Sequence, residues 1–118
     1  MRFTTIAAMA VLLAACVYTT KEVREEGYKS THHFKRNVIS ATNCISDNAE
    51  NMRAFVPSQR KLNESGGIEL IIRFNNSASV MAIAHIEPSG TESIVTLWMN
   101  PAAPLSHSEF ARQFMEGC

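Results

Sequence analysis

Three short apolar runs in the middle of the chain do most to narrow what it can fold into. In "IELIIRF", Ile68, Leu70, Ile72 and Phe74 alternate with Glu69, Ile71 and Arg73. That is the period of a strand with one buried face. Residues 80–86 and 93–99 read as two further strands. "NNSAS" separates the first two, and "EPSGTE", with Pro88 and Gly90, separates the second two; both stretches are rich in turn formers. Connections this short join antiparallel neighbours, because a parallel crossover needs a dozen or more residues. Upstream, "AFVPSQRKLNESGG" offers a fourth short strand, around 54–56 or 59–62, limited by Pro57 and ended by Ser65-Gly66-Gly67.

Helical periodicity flanks these strands. Phe34, Val38, Ala41, Ile45 and Met52 recur at helical spacing, with Lys35, Arg36, Asn43, Asp47 and Glu50 mostly on other faces, which predicts a helix over 33–51. In "PLSHSEFARQFMEGC", Ser106 and Glu109 have the spacing of a capping box. Leu105 and Phe110 stand where a hydrophobic staple would hold them. Phe110 and Phe114 then share a face, and Gly117 is placed to end the helix and turn Cys118 back. The expected fold class is α+β: a two-layer sandwich of helix, three or four antiparallel strands, and helix, with both helices on one sheet face.

The first residues are of another kind. "MRFTTIAAMAVLLAAC" has one cation, Arg2, and then an apolar run too short to cross a hydrocarbon layer that needs about 20 residues. Charged start, apolar middle and small residues before a cut are the layout of a secretory signal. Leu13-Ala14-Ala15-Cys16 resembles the lipobox of bacterial lipoproteins. The resemblance implies cleavage between Ala15 and Cys16, a diacylglyceryl thioether on Cys16 and an acyl group on the new amino terminus. One acyl chain holds a protein only marginally, whereas two or more, at about 0.8 kcal/mol per buried CH₂, anchor it firmly. Val17 stands where an aspartate would imply inner-membrane retention, so by the family's rule the outer membrane is favoured. The expected organisation is a cleaved signal over 1–15, a lipidated N-terminus and flexible tether over 16–33, and a small domain over 34–118. As a coil, the 17 residues 17–33 would average roughly 20–25 Å end to end.

A thioether at Cys16 leaves two of the three cysteines, Cys44 and Cys118. An even pair in an oxidising compartment predicts a disulfide. Closing so long a loop stabilises by about 4 kcal/mol in the chain-entropy picture.

Groups that could carry chemistry are few. Eleven basic and eleven acidic residues cancel, and no basic stripe points to nucleic acid as a partner. His32 and His33 are adjacent, so their side chains diverge and make a poor start to a metal site. His85 and Glu87 lie two apart on one strand and hence on one face, where they could serve as an acid–base pair. Arg53, Arg60 and Lys61 read as a solvated edge. No nucleophile elbow, phosphate-cradling glycine loop or HExxH motif occurs, and no cofactor is expected.

The sheet face away from the helices carries Ile71, Met81, Ile83, Ile94 and Trp98, edged by Arg73, His85 and Glu87. That is too apolar for a freely solvated face. Two readings stand open: a contact surface for another protein, or a face covered by the tether or the Phe55 segment. The functional expectation is a lipid-anchored, non-enzymatic envelope protein that binds another envelope protein or itself, an inhibitor or immunity protein being a particular version of it. A periplasmic hydrolase using His85 and Glu87, and a carrier of a small apolar ligand, are the alternatives.

Overall fold

The computed structural model describes residues 17–102 and 107–118. Among these residues the protein is an α+β fold with a five-stranded antiparallel sheet and three helices. In chain order these are α1 (Thr20–Glu26), β1 (Tyr28–Phe34), α2 (Val38–Asn51), β2 (Phe55–Lys61), β3 (Ile68–Phe74), β4 (Val80–Ser89), β5 (Glu92–Met99) and α3 (His107–Met115). The strands lie in the order β1-β5-β4-β3-β2. Strands β2 to β5 therefore form a meander, and β1 closes the far edge by pairing Tyr28 with Met99 and Phe34 with Ser93.

The expected meander is present, with longer strands than its turn residues implied. β4 runs through Pro88 to Ser89, and only Gly90 and Thr91 separate it from Glu92. Gly90 has φ +63°, as the first position of a primed two-residue hairpin requires. β2 likewise runs straight through Pro57. It is an edge strand, where a missing N–H is tolerated.

The largest departure lies in residues 17–33. In place of a flexible tether, this segment forms α1 and nearly all of β1, so the sheet has five strands rather than three or four. Thr19 caps α1 by accepting from the Glu22 N–H, and the Glu22 carboxylate accepts from the Thr19 N–H, a reciprocal capping box. Gly27 then turns the chain into β1. A Cβ there would lie 2.2 Å from the Val23 carbonyl oxygen and 2.5 Å from that of Met99, so the close passage needs glycine. The next helix begins at Val38 rather than near 33. Phe34 belongs to β1, and Asn37 supplies the cap by accepting from the Ser40 N–H at 2.9 Å.

Helices α2 and α3 pack on one face of the sheet, but α1 covers the other, so the sheet lies between helices on both sides and not in the expected two-layer sandwich. Between α2, α3 and the strands lie Phe34, Ile45, Phe55, Leu97, Phe110 and Phe114. The Phe55 ring stands 5.6–6.0 Å from those of Phe74, Phe110 and Phe114. The Cys44–Cys118 disulfide ties α2 to the residues after α3. Gly117, at φ +74°, turns the chain toward it, and the Asn48 amide donates to the Phe114 and Glu116 carbonyls. The expected Leu105 staple and Ser106 cap lie outside the described residues.

Helix α1 packs on the opposite face. Val23 joins Ile71, Val80 and Ile83 there, with Tyr18 and Trp98 against them. The phase of β4 is set by an irregularity: Ile72 pairs with Ala82 but Arg73 pairs with Val80, leaving Met81 as an extra residue. One inserted residue exchanges the faces beyond it. Val80 therefore turns toward α1, and Met81 enters the α2/α3 core. Asn100 supports this kink, its backbone N–H donating to the Met81 carbonyl and its side-chain amide to that of Val80.

Candidate functional site

The α1 face carries the densest group of ionisable side chains in the described residues. Its rows follow from the register. Glu69 is opposite His85 and Arg60, and His85 is opposite Thr96. Glu69 is 1% exposed, so its charge must be met locally. Its Oε2 accepts from His85 Nε2 at 2.7 Å, and its Oε1 accepts from Arg60 Nε. Arg24 of α1 comes within 3.9 Å. An ionised carboxylate only accepts, so His85 Nε2 is the donor in this bond. Burial alone would raise the Glu69 pKa, but the hydrogen bonds and charges of His85 and Arg60 outweigh it and hold the carboxyl below the ordinary range. The Trp98 ring meets His85 edge to face at 4.7 Å, and Lys29 lies 5.8 Å from the Trp98 ring centre.

The partner of His85 is thus Glu69, across the strand pair, and not Glu87. Glu87 sits opposite Ile94 near the β4–β5 hairpin and is exposed. A carboxylate with both oxygens engaged and two arginines beside it is arranged to fix the sheet to α1.

The expected partner-binding face is corrected in the same way. Ile71 and Ile83 are buried beneath α1, and Met81 lies in the other core. The segment read as a tether is what covers this face. Of the five residues, Ile94 is 40% exposed and Trp98 is half-buried.

The other singled-out residues are dispersed. His32 and His33 point to opposite faces. His32 shares a hydrogen bond with Ser30 and has its pKa lowered by burial, while His33 pairs with Glu92 at 2.7 Å. Among the described residues no group of three or more His, Cys, Asp or Glu could hold a metal ion. Arg60 joins Glu69, whereas Arg53 and Lys61 stand exposed at opposite ends of β2. Cys16 and the Ala15–Cys16 cleavage point lie outside the described residues. No helix among the described residues is long and apolar enough to cross a membrane.

Sequence reasoning passed over a second surface feature. Ile39, in the first turn of α2, is 67% exposed. It stands between two grooves at the sheet end that bears the β2–β3 and β4–β5 turns. One, of about 370 Å³, is lined by Lys61, Gly66 and Ile68; the other, of about 330 Å³, by Ser65, Pro88 and Gly90. The signal was available, since Ile39 falls off the stripe formed by Val38, Ala41 and Ile45. Glu69 was likewise legible as a lone acid within an apolar strand.

No protein-family model, curated protein or solved structure matches the chain.

Proposed function

We propose that this is a lipid-anchored protein of the bacterial cell envelope, with a binding or structural role rather than a catalytic one. The observation that carries the reading is Leu13-Ala14-Ala15-Cys16, placed after an apolar run and immediately ahead of a folded domain. The Cys44–Cys118 disulfide agrees with an oxidising compartment. Val17 after the anchoring cysteine favours the outer membrane.

The occupant of the binding role is another envelope protein or a second copy of the chain. With Ile71, Met81 and Ile83 buried, the reading moves the contact surface to the end around Ile39. An isolated exposed isoleucine is ordinary, but one set between two grooves gives a partner both a knob and hollows to fill. The hydrolase reading has one supporting observation, the His85–Glu69 pair, and the engagement of Glu69 by Arg60 and Arg24 weighs against it. The carrier reading needs a cavity between helices and sheet, a space occupied by Phe55, Phe110 and Phe114.

Two measurements test the proposal. Cells fed labelled palmitate should incorporate it into the wild-type protein and not into Cys16→Ala, and the label should fractionate with membranes. A photo-crosslinking residue at Ile39 should give a discrete adduct in intact cells that the same residue at Val56 does not. Absence of palmitate from the wild type removes the anchor; equal adducts at both positions remove the Ile39 surface.

A further inference from the structure

The chain is fastened into the sheet almost as soon as it leaves Cys16. The Tyr18 N–H donates to Ser79 Oγ at 3.0 Å, and the Val80 N–H donates to the Tyr18 carbonyl at 2.9 Å. The Tyr18 side chain packs with Val23, Ile71, Val80 and Ile83. Two residue steps separate Cys16 from Tyr18, and an extended chain covers at most about 7 Å in two steps. A lipid on Cys16 would therefore be attached within that distance of Tyr18, which is hydrogen-bonded to the start of β4.

We infer that the end of the sheet bearing the β3–β4 turn rests against the phospholipid headgroups. The inference depends on the lipid-anchor reading and adds an orientation to it. The register defines which residues share that end. Val80 lies opposite Arg73, and Arg73 opposite Val56; Tyr28 pairs with Met99, next to Asn100. The turn 75–79 and the start of β2 belong to the same end, since the Asn75 N–H donates to the Ala54 carbonyl.

The side chains there suit a headgroup layer. Five large hydrophobic residues are exposed among those described, and three of them, Val17, Tyr28 and Val56, belong to this end. Tyrosine is favoured at membrane interfaces because its ring is apolar and its hydroxyl wet. Asn75, Asn76 and Ser77 add hydrogen-bonding groups, and Arg53 a cation that can meet lipid phosphate. The opposite end, with Ile39, Gly66 and Gly90, then faces away from the bilayer. The ten residues of β4 put it about 30 Å distant.

The test uses the full-length lipidated protein in phosphatidylethanolamine–phosphatidylglycerol vesicles carrying a headgroup-attached nitroxide. A fluorophore is placed on Asn76→Cys or, separately, on Ser89→Cys, with the native disulfide confirmed intact. The Asn76 label should be quenched several-fold more strongly than the Ser89 label. Inserting fifteen or so flexible residues between Cys16 and Val17 should abolish the difference. Equal quenching without the insertion, on protein shown by mass to carry lipid at Cys16, overturns the orientation and leaves the anchor standing. Protein without lipid at Cys16 overturns both.

Discussion

On the α2/α3 side of the sheet, three phenylalanines pack around Phe55 and a disulfide fastens α2 to the residues after α3. On the α1 side, seven helical residues contribute one fully buried side chain, Val23, and the remaining closure comes from a cluster of charges around Glu69. The first side is stabilised by area and a covalent bond. The second depends on local fit: a cap at Thr19, a glycine at 27 and a carboxylate satisfied by its neighbours. Burying one valine stabilises by roughly 1.5–3 kcal/mol, so α1 should open before the rest of the fold.

The strongest way to break this contrast is to attack the aromatic side. Phe114→Ala should cost about 3–5 kcal/mol, as large-to-small changes of fully buried phenylalanines do, measured by urea unfolding. Replacing Cys44 and Cys118 together by serine comes next, at about 2–4 kcal/mol. Gly27→Ala sharpens the contrast from the other side. Its Cβ would press on backbone rather than on a flexible side chain, which should cost about 1–3 kcal/mol. Amide exchange in that variant should quicken in Thr20–Glu26 and β1 well before α2. Equal quickening in both would mean that the two faces unfold as one unit.

The smallest effect expected is on pH dependence. Burial lowers the pKa of His32 from its ordinary 6.5. The unfolded chain therefore takes up a proton first, and stability present above that value declines as pH falls toward the folded pKa. The Glu69 pKa is lowered as well, so its contribution holds above the ordinary glutamate value of 4.5 and is lost as pH falls through the folded one. Both slopes have the same sign. Acid titration of the unfolding midpoint should show an upper step that His32→Asn removes and a lower one that Glu69→Gln removes.

How far each region could be read in the sequence follows the same division. Strands with plain alternation, such as that of Leu70 and Ile72, were legible, and so was the pairing of Cys44 with Cys118. Residues 17–33 were not, because their polarity is that of an edge strand and of a helix with one buried position, and both resemble a linker. The Thr19-x-x-Glu22 cap and Gly27 carried the missing information. Met81 was misplaced for another reason: strict alternation has no means of registering an inserted residue. The partner of His85 was missed because Glu87 is near in sequence, whereas Glu69 is brought opposite only by strand pairing.

The pairing of Tyr28 with Met99 also has a consequence for the order in which the molecule can assemble. β1 leaves the ribosome first among the strands, yet its hydrogen-bonding partner is the last strand of the sheet. The hairpins from β2 to β5 close short loops and can form early, whereas β1 must wait for a contact distant in sequence. Helix α1 is held beside it by Gly27 and waits as well. Folding should therefore finish at the amino-terminal end. Pulse-labelled amide exchange during refolding should show Tyr28–Phe34 protected after Ile68–Phe74. A domain that locks its amino-terminal segment last leaves that segment extended, and open to processing enzymes, for most of its folding time.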